Sequence, residues 1–315
     1  MKNVFIKTLK LLRPKQWIKN FAVFGAIIFT GQLFNIPVLG QVWLAFFIFC
    51  GLSSAIYVIN DIFDIEKDRM HPFKRFRPLA HKDLSIPYAL VLFFILTICS
   101  LAGGLLIGKG FFLLALVYLA LQLLYSMKFK NIAVLDILTL ATGYILRVYA
   151  GEVASGFHIS VWLVLATVAL SLFLGVGKRR SELTLISHIP GVDKEATRAT
   201  LSHYSERLLD VYAAIFATAA VIFYSLFTFL ENPQGLKLNL SIFLPDFLPP
   251  AFQRKWLMVT IIPVVYGLMR YLQDIYEKHE GESPEKVLLS DIPLLASVII
   301  WMLLVVVIIY ITGAS

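Results

Sequence analysis

Apolar stretches long enough to cross a membrane recur along the chain, and short polar segments separate them. A bilayer core about 30 Å thick requires roughly 20 apolar residues in helical form. The pattern predicts an all-α, polytopic membrane protein with nine transmembrane helices. The nine stretches are Trp17–Phe34, Val42–Ile62, Ile86–Ile107, Phe111–Leu124, Val134–Ala154, Val161–Val176, Leu209–Phe229, Leu257–Leu272 and Ile292–Ile311.

Composition supports this class, because 59% of the residues are hydrophobic and only 15% are charged. A soluble domain carries roughly 25% charged residues. The net charge of +8 could suggest nucleic acid, but the basic residues are spread between the apolar stretches, which favours membrane topology and phosphate binding. We therefore expect no nucleic-acid partner. Cys50 and Cys99 lie inside apolar stretches, where a thiol acts as a small hydrophobe.

The charged loops predict the orientation in the membrane, because cytoplasmic loops are enriched in Lys and Arg. The segment before the first stretch and the loops after the second, fourth, sixth and eighth stretches carry most of these residues, and the opposite loops carry few. We expect a multi-pass inner-membrane protein with a cytoplasmic N-terminus and an external C-terminus. The chain is interpreted as a single domain, 1–315, with a pseudo-repeat of 13–130 and 131–275 and an additional ninth helix at 292–312. Oligomerisation stays open.

An acidic cluster closes the second predicted helix at Asn60, Asp61, Asp64 and Asp68. The three aspartates follow an i, i+3, i+7 spacing, so a helix places their carboxylates on one face. Carboxylates that converge repel one another unless a cation joins them, and ligation by oxygen alone suits Mg²⁺. The alternative is a solvated helix end whose acids offset nearby basic residues.

A basic cluster follows within ten residues, in the sequence HPFKRFRP at 71–78. Two prolines stiffen a loop that presents Lys74, Arg75 and Arg77. Arg binds phosphate through its planar fork and Lys binds it as a point charge. Positive-inside topology alone could also explain these cations. Acids followed by cations are what a magnesium-bound diphosphate requires, since the ion bridges the phosphates and the cations neutralise the remaining charge.

The start of the first predicted helix carries a polar face. Gln16, Lys19 and Asn20 are spaced i, i+3, i+4, and exposing such a face to lipid is unfavourable. Trp17 beside them is typical of the membrane interface. We expect the polar face to line a site rather than contact lipid.

The central part of the chain adds Tyr125, Lys130 and Arg147 as candidate binding residues. Arg147 lies deep in an apolar stretch, where a cation needs an anionic partner. That partner could be Glu152, Asp136 or a ligand, and the pair could be purely structural.

The loop after the sixth stretch reads GVGKRRSE and is mostly cationic. If the chain is duplicated, this position mirrors the acidic cluster. One half would then supply the metal site, and the other would offer Lys178 and Arg179 to phosphates. Glu182 could hold the residues that contact the ligands, bind metal itself or accept a hydrogen bond from a hydroxyl group. Three nearby side chains without metal-ligand spacing are interpreted as loop residues: His188, His203 and Tyr204.

These motifs resemble those of the UbiA superfamily of intramembrane prenyltransferases, through NDxxDxxxD at 60–68 and RPxQWxKN at 13–20. The resemblance spans nearly the whole chain. Within the superfamily the sequence is most similar to the bacterial decaprenyl-phosphate phosphoribosyltransferases, through HPxKRxRP at 71–78, YSxxxKxxxVLD at 125–136, GKRxxEL at 177–183 and the acidic residues at 282–291.

The resemblance implies nine helices around a central cavity open to the cytoplasm, and Mg²⁺ held by the first acidic motif. Ordinary members bind a second Mg²⁺ through a second aspartate-rich motif, but this chain has Lys178, Arg179 and Arg180 there. The departure favours 5-phosphoribosyl 1-diphosphate as donor and a polyprenyl phosphate as acceptor, with the product used for cell-envelope arabinose donors.

Three groups of site residues follow from this hypothesis. The metal ligands would be Asp61, Asp64 and Asp68. The catalytic residues would be Asn60, Asp61, Asp64, Lys178 and Arg179. The substrate-binding residues would be Gln16, Lys19, Asn20, Asn60, Lys74, Arg75, Arg77, Tyr125, Lys130, Arg147, Lys178, Arg179 and Glu182. An ordinary prenyl-diphosphate transferase acting on an aromatic acceptor, or a transporter or lipid-binding protein, remains the alternative.

Overall fold

A computed structural model describes residues 2–70, 74–187, 199–231, 256–278 and 284–312. Helices account for all the regular secondary structure in these ranges. Residues 71–73 of the basic cluster, His188, residues 232–255 and Glu282 lie outside them. The α-helices are α1 (Lys2–Leu12), α2 (Gly25–Phe29), α3 (Ile36–Phe63), α4 (Ile65–Met70), α5 (Ile86–Ile107), α6 (Lys109–Met127), α7 (Leu135–Ser155), α8 (Val161–Ser187), α9 (Glu206–Leu230), α10 (Ile261–Gln273), α11 (Pro284–Ser290) and α12 (Ile292–Val306).

Seven described segments are long and apolar enough to cross a membrane, judged by length and composition. They correspond to the second, third, fourth, sixth, seventh, eighth and ninth predicted helices. The fifth predicted helix is present as α7, which is less apolar because it carries Asp136, Arg147 and Glu152. The first contains a 3₁₀ segment, Pro14–Phe24, followed by the short α2. The all-helical membrane architecture is confirmed, whereas nine spanning helices and a cytoplasmic cavity stay predictions.

Local sequence explains where several helices begin. Ser85, Ser205 and Asp291 each precede a helix, and each side chain accepts a hydrogen bond from the backbone N–H three residues later. Such caps satisfy donors that the first helical turn leaves unpaired. Gly156 directly follows α7 and has a φ of 73°. Glycine adopts this left-handed backbone conformation readily.

The core divides into contiguous apolar clusters that hold the polar helix ends in place. One cluster packs the Pro14–Phe24 segment against α3, α6 and α7, with Phe49, Phe111 and Tyr118 fully or almost fully buried. Another joins α7 to α8 and α9 around Phe173 and Leu209. These contacts bring the ends of α3 and α8 toward the start of α7, where the candidate site lies.

Helix α7 and the Pro14–Phe24 segment approach each other closely at Gly151 of α7. A Cβ atom added there would lie 1.8 Å from the carbonyl oxygen of Val23. Only a residue without a side chain therefore allows α7 to contact the Pro14–Phe24 segment at this depth.

Gly151→Ala is expected to destabilise the protein by about 1–3 kcal/mol or more, because the new methyl group meets rigid backbone. Thermal unfolding in detergent measures the effect. Gly40→Ala is the matched control, since nothing lies within 4 Å of its added Cβ. Equal melting temperatures for the two variants would contradict the close approach.

Candidate active site

The acidic cluster lies where α3 passes into α4. Helix α3 ends at Phe63, and Asp64 forms the junction with a φ of −97° and a ψ of 4°. The Asp64 N–H still donates to the carbonyl oxygen of Asn60 at 3.0 Å, and the Asp68 N–H donates to that of Asp64 at 2.8 Å. The near-continuous helical path keeps the aspartates close together, as their spacing predicts. Asp61 and Asp68 are buried, at 2% and 4% exposure.

Cations from elsewhere in the described part of the chain compensate these carboxylates. Nη2 of Arg13 lies 2.5 Å from Oδ1 of Asp61, and Nη1 of Arg77 contacts Asp61 at 3.2 Å and Asp68 at 2.6 Å. Nζ of Lys130 donates to Asp64 at 2.6 Å. Arg13, Arg77 and Lys130 come from three distant parts of the chain. The surroundings of the cluster are therefore strongly cationic.

The carboxylates also interact with one another. Burial raises the pKa of Asp68, Arg77 opposes this shift, and the nearby charges of Asp61 and Asp64 act in the same direction as burial. Oxygen ligands that repel one another fit the chemistry of a hard divalent cation. As arranged, no three His, Cys, Asp or Glu side chains in the described part of the chain converge on one ion position. Metal binding would require the cations to exchange places with the ion.

The predicted basic cluster divides into different environments. Arg77 is turned toward the acids, whereas Arg75 is exposed, with its guanidinium 4.8 Å from the ring centre of Phe76. Lys74 is half-buried in the 3₁₀ turn Lys74–Phe76. Arg77 contacts the carboxylates of Asp61 and Asp68 directly.

The end of α8 carries a second charged network around Arg179, which is fully buried. Its Nε lies 2.7 Å from Oδ2 of Asp136, Nη1 pairs with Glu182, and Nη2 donates to the Tyr125 hydroxyl at 3.1 Å. The hydroxyl of Tyr204 donates to Asp136 at 2.8 Å. Arg179 is thus engaged by the protein itself, and it fixes two side chains that the sequence assigned to substrate binding.

Tyr204 lies outside the helices, in the segment before α9, as its interpretation as a loop residue predicts. It is buried, and burial raises the pKa of its phenol. Its oxygen also accepts the Val134 N–H at 2.6 Å. Tyr204 therefore joins the segment before α9 to the start of α7.

Lys178 and Arg180 point in different directions from Arg179, because consecutive helical residues are rotated by about 100°. Lys178 is half-buried, and its electrostatic neighbours include Tyr125, Lys19 and Glu182. Arg180 instead donates to Asp210 at 2.8 Å on α9 and lies over the ring of Tyr276. The charge of Lys19 in the first segment acts on Lys178.

The polar face of the first segment contacts α3 and α7. Gln16 accepts a hydrogen bond from the Tyr57 hydroxyl at 3.1 Å, whereas Asn20 is fully buried and accepts one from Nε of Arg147 at 2.7 Å. Neither carboxylate that the sequence offered to Arg147 contacts it, since Asp136 binds Arg179 and Glu152 binds His158. Asn20 and Arg147 form a separate cluster deeper in the bundle.

Two charged residues of the site were absent from the predicted set. Arg13 is the first residue of the RPxQWxKN motif, and Asp136 is the last residue of YSxxxKxxxVLD as well as a possible partner of Arg147, but the sequence assigns neither to the site. Arg13 has a left-handed backbone, with a φ of 52°, and its guanidinium lies 5.0 Å from the ring centre of Tyr57. Its position directly before Pro14 favours an extended backbone rather than this left-handed one.

The chain is similar in sequence to several known proteins. A decaprenyl-phosphate phosphoribosyltransferase from Corynebacterium glutamicum is 34% identical over 314 residues, which cover 98% of this chain and 89% of that protein. The protein of the same name from Mycobacterium tuberculosis is 32% identical over 293 residues, 92% of this chain and 89% of the relative.

Solved structures show the same fold. A UbiA homolog from Archaeoglobus fulgidus bound to DMAPP and Mg²⁺ is similar with a TM-score of 0.67 at 19% identity, covering 96% of this chain and 99% of that one. Residues 21–290 match the sequence profile of the UbiA prenyltransferase family. The chain therefore belongs to the UbiA prenyltransferase family.

Proposed function

We propose that the chain transfers 5-phosphoribose from 5-phosphoribosyl 1-diphosphate to a polyprenyl phosphate, in a reaction that requires Mg²⁺. One observation carries the proposal: α8 carries Lys178 and Arg179 toward its end, and no second acidic cluster stands in that part of the helix. One metal-binding motif beside separate cations suits a ligand with one diphosphate and additional phosphates. Two relatives that are 32–34% identical over most of the chain are decaprenyl-phosphate phosphoribosyltransferases, which supports this donor and acceptor.

Asp61 and Asp64 would hold Mg²⁺, supported by Asn60 and Asp68. When bound, the ion would neutralise charge on the diphosphate as it departs. The protein's cations have a complementary role. Arg77 and Lys130 already lie within hydrogen-bonding distance of the carboxylates, so a small movement would transfer them from carboxylate to phosphate oxygens.

The transfer breaks the bond between C1 of the ribose and the diphosphate oxygen, and the diphosphate leaves with the electron pair. An oxygen of the lipid phosphate forms the new bond to C1 from the opposite face. The acceptor is already anionic, so no general base is needed. Stabilisation of the developing charge is then the main contribution of the site.

Three further side chains would position the substrates. Lys178 would contact a phosphate beside Lys19, since the two share the same surroundings. Tyr125 would shape this region, and Arg179 would act by fixing Tyr125 and Glu182. The apolar helix faces would hold the isoprenoid chain in the bilayer.

We further propose that the site faces the cytoplasm of an inner-membrane protein. The donor is water-soluble, and the charged helix ends that form the site adjoin the loops that are predicted to be cytoplasmic. This orientation gives the donor access from water and the acceptor access from lipid.

Radiolabelled 5-phosphoribosyl 1-diphosphate tests the proposed function. Membranes containing the protein are expected to transfer label to added decaprenyl phosphate only when Mg²⁺ is present. Consumption of a prenyl diphosphate with an aromatic acceptor, with no label reaching lipid, would instead identify an ordinary prenyltransferase. Absence of both reactions would favour a transporter or lipid-binding protein.

Lys130→Met is expected to reduce kcat/KM for the donor by about 10–100-fold, because a charge-assisted contact contributes about 1.5–3 kcal/mol. Lys128→Met is the matched control, since Lys128 is exposed two residues earlier. Steady-state kinetics with the labelled donor compares the two. Equal losses would show that general loop charge, rather than the position of Lys130, matters.

A further inference from the structure

The buried polar cluster around Arg147 lies deeper than the acidic cluster. Nε of Arg147 donates to Asn20 at 2.7 Å, Nη2 donates to the Tyr118 hydroxyl at 2.7 Å, and Nη1 donates to the carbonyl oxygen of Gly143 at 2.6 Å. Nη2 also lies 3.4 Å from Oγ of Ser53. Ser53 precedes Asp61 by eight residues on α3, which corresponds to about 12 Å along the helix.

The partners of Arg147 are neutral. Among the described residues it forms no ion pair with a carboxylate, although the side chain is buried. Burying a charge is costly unless its hydrogen bonds are satisfied. The guanidinium obtains these bonds from oxygens on the Pro14–Phe24 segment, α3, α6 and its own helix α7. A planar group with several donors can join so many elements, whereas a single ammonium cannot match that geometry.

The Pro14–Phe24 segment needs such support. It is a 3₁₀ helix of 11 residues, whereas 3₁₀ runs longer than three or four residues are uncommon because their hydrogen bonds are poorly aligned. Helix α7 holds it at two levels one turn apart. Arg147 binds Asn20, and Gly151 admits the backbone of Val23.

The same segment brings polar groups into the candidate site. Arg13 directly precedes it and contacts Asp61, Gln16 contacts Tyr57, and the charge of Lys19 acts on Lys178. Arg147 touches none of the acidic residues itself.

We infer that Arg147 is a positioning residue, which fixes the first segment so that Arg13, Gln16 and Lys19 face the bound substrates. This assigns it a role different from the direct substrate contact that the sequence suggested. The kinetic part of the inference rests on the proposed function, because the positioned groups are those of the donor site.

Hydrogen–deuterium exchange of the full-length protein in detergent tests the structural part without any substrate. In Arg147→Lys, amides of residues 14–24 are expected to exchange at least about 10-fold faster, while those of 206–230 stay unchanged. Asn20→Ala removes the same link from the other side and should give the same pattern. Arg180→Lys is the matched control, because Arg180 contacts α9 and Tyr276 and its change should leave residues 14–24 unchanged.

Kinetics then separates positioning from loss of folded protein. Arg147→Lys is expected to raise the KM for the donor by about 10-fold, and adding Lys19→Met should cost less than in the native background, because the two residues act through one segment. A role in stability alone would lower the melting temperature and the active fraction with KM unchanged.

Unchanged exchange at residues 14–24 in both Arg147→Lys and Asn20→Ala would overturn the inference, as would full additivity with Lys19→Met. Faster exchange in a protein that transfers no phosphoribose would leave the positioning intact and refute only the proposed substrate.

Discussion

Asp61→Asn is expected to lower the rate of phosphoribosyl transfer by about 10²–10³-fold, the size of effect seen when one preorganised electrostatic group is removed from an active site. The carboxylate of Asp61 is buried and contacts both Arg13 and Arg77. An amide keeps the shape but loses the charge that would hold Mg²⁺ and orient the two arginines. Initial rates measured across a range of Mg²⁺ concentrations should show that excess metal does not restore native activity.

The control for this variant is Asp83→Asn. Asp83 also pairs with a cation, since Nζ of Lys7 lies 2.6 Å from its Oδ2, but it lies outside the acidic cluster. Its loss should leave the rate within about twofold of the native value, as expected for a surface pair. If Asp61→Asn folds normally and retains more than a tenth of the native rate, Asp61 is not a metal ligand.

Arg179→Met is expected to destabilise the protein by about 3–5 kcal/mol, because it leaves the buried carboxylate of Asp136 without its cation. Both side chains of this pair are 0% exposed. Thermal melting in detergent measures the loss of stability. Combining Arg179→Met with Asp136→Asn should recover most of the stability, because the amide still accepts hydrogen bonds from Tyr204 and from the Ile137 N–H.

The adjacent Arg180→Met provides a matched comparison. The partners of Arg180 are half-exposed, at 47% for Glu206 and 38% for Asp210, so its loss should cost only about 1 kcal/mol. The recovered double variant should remain poorly active, since Tyr125 and Glu182 would no longer be fixed. A stable and fully active Arg179→Met would contradict the role assigned to this network.

The sequence predicted the helical class because long apolar stretches have few alternatives in a bilayer. It also predicted the shared face of Asp61, Asp64 and Asp68, since helical periodicity fixes which side chains point together. The family resemblance added the correct superfamily, which the profile match over residues 21–290 confirms. Residue roles stay predictions, because no ligand contact tests them.

Contacts between distant segments could not be obtained in the same way. Periodicity shows that Arg179 points away from Lys178, but not that Asp136 and Tyr204 lie against it. Similarly, the apolar pattern of the first stretch favours an α-helix, whereas packing against Gly151 accompanies a 3₁₀ backbone. Arg13 contacts Asp61 only because the start of the Pro14–Phe24 segment lies near the end of α3. Such pairings depend on tertiary packing, which overrides local preference.

The balance of charge in the acidic cluster has a consequence for metal selectivity. Three aspartates face Arg13, Arg77 and Lys130, so the cluster by itself offers little net attraction to a bare divalent ion. A metal that arrives alone must displace bonded cations, whereas a metal carried on a diphosphate offers those cations new anionic partners. We therefore expect the enzyme to bind free Ca²⁺ and Mg²⁺ only weakly between turnovers and to bind its metal together with the donor.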